Sequence, residues 1–202
     1  MFTGIIQSIG TIVKISKYKS LYTIKTTLNL EDCKKGSSIC CDGVCLTAIN
    51  IKKNNELYNF DVNVGEETLK RSNLVFWKKN TKINIEKSLK VGDEISGHFV
   101  YGHVDLQLNI REIKKLKNSW EFIFSFSEFS KQRNLKKFFV EKASIAINGI
   151  SLTIANVYDD FFIVSILPYT FKNTNLSILK ENDQVNIEFD PLARYINEEY
   201  GK

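Results

Sequence analysis

The chain has 202 residues, 43% of them hydrophobic and 25% charged, and 28 Lys and Arg against 23 Asp and Glu leave a net charge of +5. That is enough apolar material for one large domain or two of about 100 residues. It excludes a low-complexity chain, and lysine pairs scattered from 34 to 136 among acidic residues exclude a basic nucleic-acid stripe interleaved with stacking aromatics.

The opening MFTGIIQSIGTIVKI has no charged leader and no unbroken apolar run, so neither a signal peptide nor a membrane span is expected. LYTIKTTL (21–28) alternates β-branched and polar residues and predicts a strand. Four cysteines follow, at 33, 40, 41 and 45, in no CxxC spacing. Adjacent Cys40 and Cys41 point to opposite faces of a strand, so reduced thiols and a cytoplasmic protein are expected. A zinc site would need His98 and His103 to join two of them, and that spacing matches no common motif.

DGVCLT (42–47) combines a tight-turn dipeptide with a strand on which Cys45 and Thr47 face one side and Val44 and Leu46 the other. YNFDVNV (58–64) is a further strand, and EETLKRSN (66–73) a short helix. From about residue 97 the same order returns. VYGHV (100–104) matches FTGII (2–6), and NGISLT (148–153) matches DGVCLT with Ser151 in place of Cys45. FIVSILPYTFKNTNL (162–176) matches FDVNVGEETLKRSNL (60–74), and VNIE (185–188) matches INIE (83–86). Four matched blocks in one order describe a tandem duplication. EFIFSFSEF (121–129) and FFIVSIL (161–167) are strands of the second copy, and SKQRNLKKFF (130–139) a second short helix. About six strands per half, with turn signals at short spacing, predict a small closed barrel in each, which removes exposed strand edges. The tail PLARYINEEYGK predicts a terminal helix with Pro191 in its first turn and Leu192, Tyr195, Ile196 and Tyr200 on one stripe.

Each repeat thus presents a thiol or hydroxyl, a threonine and strand backbone groups beside a glycine, a surface that admits a flat polar heterocycle. His103 follows Gly102 where the first repeat has Ile5 after Gly4, and imidazole transfers protons near neutral pH.

The series MFTGII, DGVCLT, ETL, SGHFVYGHVD and NGISLT, spread over essentially the whole chain, resembles the riboflavin synthase family. The resemblance implies an all-β fold of two tandem six-stranded Greek-key barrels over 1–96 and 97–189, with a short helix at 190–202 as a trimerisation element. It implies conversion of two molecules of 6,7-dimethyl-8-ribityllumazine into riboflavin and 5-amino-6-ribitylamino-uracil. A four-carbon unit passes between twin substrates, so neither a metal nor a redox cofactor is expected. The partners it implies are that substrate and two further copies of the chain, with no nucleic acid and no membrane; the working centre would lie between the N-terminal barrel of one subunit and the C-terminal barrel of a neighbour. A non-catalytic lumazine- or flavin-binding optical protein of the same fold is the alternative. Such proteins tend to lose the ligand groups of one repeat, and here both repeats keep theirs.

Carried over by motif, the first barrel's ligand shell is Gly4, Ile5 and Ile6, then Cys45, Leu46 and Thr47, then Asn63, Val64, Gly65, Glu66, Glu67 and Thr68. The second barrel's is Gly102, His103 and Val104, then Lys142, then Ser151, Leu152 and Thr153, then Ser165, Ile166, Leu167, Pro168, Tyr169 and Thr170. The catalytic set is His103, Cys45 and Ser151, with Phe2, Ser38 and Asp190 at further positions linked to the centre; His103 is the preferred proton carrier. Three features depart from the family pattern. Ser96-Gly97-His98 stands for the usual Gly-Gly-His, the ligand loops read EET and PYT instead of Pro-Glu-Thr, and only 12 residues follow Asp190.

Overall fold

In the computed structural model, residues 1–16, 18, 20–127 and 135–200 are described, 197–200 by their backbone alone. Strands β1 (Ser8–Ser16), β2 (Leu21–Thr26), β3 (Ser38–Cys41), β4 (Val44–Asn54), β5 (Leu57–Asn63) and β6 (Lys82–Lys87) close into one antiparallel barrel in the order β1-β2-β5-β4-β3-β6. Strands β7 (Leu106–Lys115), β8 (Trp120–Ser125), β9 (Ser144–Ile147), β10 (Ile150–Val157), β11 (Phe161–Ile166) and β12 (Gln184–Phe189) close a second, in the order β10-β11-β8-β7-β12-β9. Helices α1 (Glu66–Arg71) and α2 (Pro168–Asn173) occupy matching places after β5 and β11, and α3 (Pro191–Tyr200) ends the chain. The helix expected at 130–139 is a single 3-10 turn at Leu135–Phe138 where it can be followed; 130–134 lie outside the described residues.

Period-two alternation fills each barrel. Tyr22, Ile24 and Thr26 of β2 point inward, as do Tyr58, Phe60 and Val62 of β5. The second barrel uses rings: Phe122, Phe124, Phe126, Phe139 and Phe162 are buried together, with Phe126 and Phe139 stacked at 4.6 Å. Bulges at Ile12/Lys14 and Ile49/Lys52 recur at Ile110/Glu112 and Ile154/Asn156, and the local bend they supply lets short strands curl shut.

The two copies pack about an approximate twofold, and part of the seam between them is polar and buried. Asn84 Nδ2 donates to the Asn148 carbonyl (2.9 Å) and to Asn175 Oδ1 (2.9 Å); the matching Asn186 Nδ2 donates to the Asp42 carbonyl (2.7 Å) and to Asn73 Oδ1 (2.9 Å). In return the Asn175 and Asn73 N–H groups donate to Asn84 Oδ1 and Asn186 Oδ1, both at 2.7 Å. A neutral hydrogen bond contributes only about 1 kcal/mol net, whereas a buried group stripped of its partner costs about 1–3 kcal/mol. The seam is therefore strict about alignment more than it is adhesive. No helix among the described residues is long and apolar enough to cross a membrane.

Candidate functional site

Both repeated devices begin with a two-residue turn in which both residues take positive φ: Asp42 (48°) and Gly43 (80°), Asn148 (46°) and Gly149 (77°). Such a turn matches the twist of the strands it joins. It sets Cys45 opposite Cys40 and Ser151 opposite Ala146. Cys45 and Ser151 are half-buried, Thr47 and Thr153 exposed, and Val44, Leu46, Ile150 and Leu152 buried, as the alternation requires.

What lies against each device comes from the other repeat. The Cys45 N–H donates to the Gly102 carbonyl (2.9 Å), and the Ser151 N–H donates to the Gly4 carbonyl (2.8 Å). A Cβ on Gly102 would sit 2.6 Å from Cys45 Cβ, and one on Gly4 would sit 2.6 Å from Ser151 Cβ. Both glycines also hold φ near +77°, so no other residue fits. Val104 packs on the first core and Ile6 on the second. The grouping expected from sequence is corrected accordingly. Gly102, His103 and Val104 sit with Cys45, Leu46 and Thr47, while Gly4, Ile5 and Ile6 sit with Ser151, Leu152 and Thr153. Sequence matching pairs like with like inside one repeat and cannot see a segment crossing to the other.

Each crossing segment is held by the glutamate that closes its own repeat. Glu86 accepts from Thr3 N–H (2.7 Å), Thr3 Oγ1 (2.7 Å) and Gly4 N–H (3.0 Å). Glu188 accepts from the N–H groups of Tyr101 (2.6 Å), Gly102 (2.8 Å) and His103 (3.0 Å). Burial pushes both carboxyls up, Glu188 to about 7, against the pull of those N–H groups. The matched blocks INIE and VNIE are the anchors of the matched blocks FTGII and VYGHV.

A cavity of about 240 Å³ opens beside Cys45, lined also by Val44, Thr68, Gly102, His103 and Val104. His103 is exposed, with its ring stacked on Tyr101 at 6.1 Å. On the other device the near imidazole is His98, a residue outside the sequence-predicted site set. His98 Nδ1 lies 2.6 Å from Ser151 Oγ, and its Nε2 is buried with no hydrogen-bond partner among the described residues. Burial lowers the His98 pKa and the Asp190 charge partly restores it, so the ring is neutral at neutral pH. Gly97 lets the ring approach: a Cβ there would lie 2.0 Å from the Thr3 carbonyl oxygen. The signal that could have found His98 was the glycine immediately before it.

The other expected residues divide plainly. Asp190 caps α3, accepting from Leu192 N–H at 2.9 Å, and stands near His98. Ser38 lies opposite Thr47 in the β3–β4 pair. Phe2 is fully buried, in a cluster with Cys40, Val100 and Ala146 against which Cys45 packs, so it shapes the device from behind. The loops Asn63 to Thr68 and Ser165 to Thr170 each run from a strand end into α1 or α2, with Val64 and Ile166 buried, Thr68 and Thr170 half-buried, and Gly65, Glu66, Glu67, Leu167, Pro168 and Tyr169 exposed. Lys142 is exposed at φ 67°, the place Gly36 (φ 97°) holds in the first repeat. No three His, Cys, Asp or Glu among the described residues gather closely enough to hold a metal ion.

The lumazine-binding domain model matches this chain twice, over residues 3–88 and 101–190. Riboflavin synthase of Brucella abortus is 38% identical over 198 residues, covering 96% of each chain. Riboflavin synthase of Bacillus subtilis is 35% identical, covering 97% of this chain and 88% of its own. Among solved structures, LumP complexed with riboflavin superposes with a TM-score of 0.78 at 23% identity, covering 94% of this chain and 99% of its own, and so shares the fold.

Proposed function

We propose that this chain, which belongs to the riboflavin synthase family, converts two molecules of 6,7-dimethyl-8-ribityllumazine into riboflavin and 5-amino-6-ribitylamino-uracil, transferring a four-carbon unit between them. The observation that carries the reading is the pair of like but unequal devices, Cys45 with His103 and Ser151 with His98, each roofed by the other repeat's glycine segment. Twin substrates need twin sites, and a donor and an acceptor need different ones.

The 7-methyl group of a lumazine is acidic because its anion delocalises into the ring. Its removal needs a neutral base, and addition to the partner ring needs an oxygen or sulfur nucleophile. With its proton on Nε2, His98 accepts the Ser151 hydroxyl proton at Nδ1, the arrangement of an activated nucleophile. His103 and Cys45 offer the same pairing of chemistries across the other cavity. Val44 and Val104 give the Cys45 cavity an apolar lining for the flat ring, and the exposed Lys142 is available to ligand polar groups. Alignment of the two rings supplies effective molarity, worth up to about 7–11 kcal/mol.

Within this reading the cytoplasmic protein works as a homotrimer that brings the Cys45 side of one subunit against the Ser151 side of the next. Purified protein mixed with lumazine should develop riboflavin absorbance, with one riboflavin formed per two lumazines consumed. Stoichiometric binding without conversion would defeat the enzymatic reading in favour of an optical binding protein.

A further inference from the structure

Cys40 and Cys45 face each other across the β3–β4 hairpin. The tight turn at Asp42-Gly43 makes Cys41 and Val44 the hydrogen-bonded pair, so the next pair out, Cys40 and Cys45, is a non-hydrogen-bonded one. The Cys45 N–H accordingly points away from Cys40, to the Gly102 carbonyl. Cα atoms of such a pair lie about 4.5 Å apart, inside the disulfide range of about 4.4–6.8 Å, and both side chains leave the sheet on the same face. Their surroundings agree. A Cβ on Gly149 would lie 3.3 Å from Cys40 Sγ, and Cys40 and Cys45 both pack in the small cluster with Phe2, Val100 and Ala146. Cys41 points the other way, into the first barrel's core. All the cysteines are free thiols in this structure, and the second repeat, with Ala146 and Ser151 at these places, has no such pair.

We propose that Cys40 and Cys45 are a reversible disulfide site, and that closing it withdraws the Cys45 thiol from the cavity and silences that device. The co-reactant is a low-molecular-weight disulfide. The half-buried Cys45 thiol, its proton passing to solvent, attacks one sulfur and expels one small thiol. Cys40, likewise deprotonated, then displaces the second small thiol and forms the Cys40–Cys45 bond; two protein thiols are oxidised as one small disulfide is reduced to two thiols. Burial, reinforced by the nearby charges of Glu86, Cys41 and Glu188, holds the Cys40 thiol well above its ordinary range, which makes the second step the slower. The pairing stands on the hairpin alone; its effect on turnover rests on the function proposed above.

The test treats the whole protein with glutathione disulfide, digests it without reduction, and weighs the peptide 36–52, which carries Cys40, Cys41 and Cys45 but not Cys33. The wild-type peptide should lose two hydrogens and regain them with dithiothreitol. Cys41→Ala should behave the same way, whereas Cys40→Ala should stop at a glutathione adduct on Cys45. Turnover of the wild type should fall at least ~10-fold on oxidation and recover on reduction, as expected for loss of a reacting thiol. Cys40→Ala should match the untreated wild type before treatment, since the second repeat already carries alanine there. An unchanged wild-type peptide, hydrogen loss that survives Cys40→Ala, or a disulfide that leaves turnover intact would each overturn the proposal. The mass change is legible whether or not the reduced protein turns over lumazine.

Discussion

His98 is the residue whose environment is most specialised. Its Nδ1 meets Ser151 Oγ, its Nε2 is buried without a partner, and burial holds it neutral. His98→Gln should lower turnover by roughly 10²–10⁴-fold, the usual span for a lost general base. Because its pKa is lowered from 6.5, the base form survives into mild acid, and the acid limb of the pH–rate profile should fall below that value and disappear in the variant. A wild-type limb in His98→Gln would assign the proton transfer to His103. Asp42 is the other singular residue, occupying the place of Asn148 with a carboxyl that burial pushes up to about 8. The native state keeps this proton up to that pH while an unfolded chain releases it near 3.8. Between those values the native state binds more protons, so stability falls as pH rises. Asp42→Asn keeps the acceptor for Asn84 N–H and Asn175 Nδ2 but carries no charge. Its melting temperature relative to wild type should therefore climb by at least about 3 °C between pH 5 and pH 9, and a flat difference would place the titration elsewhere.

At the scale of elements, the glycine segments decide what a half-molecule can do. Residues 1–96 contain a closed barrel, Cys45, Thr47 and the loop to Thr68, but not the Gly102 carbonyl that receives Cys45 N–H or the Val104 side chain on its core. Gly4 carries the equivalent carbonyl, so two copies of 1–96 can roof each other. The fragment should sediment as a dimer, bind riboflavin and turn over lumazine at least ~100-fold more slowly, since it lacks Ser151 and His98. A monomeric fragment that binds as well as the full chain would show the crossing segment to be dispensable. The duplication, the strand faces and the helix at Glu66–Arg71 were legible in the sequence because alternation and turn dipeptides are local. The exchange was not: FTGII and VYGHV look alike, and nothing within five residues says which barrel each will touch. His98 escaped for a related reason, since none of the matched blocks of the two repeats includes it.

At the scale of the molecule, α3 leaves apolar surface open. Leu192, Tyr195 and Ile196 are 64%, 71% and 59% exposed in the single chain, while the side chain of Tyr200, expected on the same stripe, lies outside the described residues. The helix is nevertheless placed: Asp190 caps it, and Arg194 reaches back to Asp105 with two contacts of 2.8 and 2.9 Å. In the proposed trimer a partner's copy covers the stripe of this ten-residue helix, which is marginal by itself. Truncation after Asp190 should shift sedimentation from trimer toward monomer and reduce turnover in parallel. A truncated chain that stays trimeric and active would move the subunit contacts onto the barrels.

The exchanged glycine segments also bear on ancestry. Two identical barrels, each roofing the other's pocket about a twofold axis, are a symmetric dimer; joining them end to end turns an encounter that depends on concentration into one that a tether guarantees. Once tethered, the copies no longer had to be identical. Thiol and hydroxyl, imidazole and isoleucine, carboxyl and amide could part company at Cys45 and Ser151, His103 and Ile5, Asp42 and Asn148, while the seam of asparagines kept the halves aligned. Covalent fusion permits such asymmetry, whereas two copies of one identical subunit would have to change together.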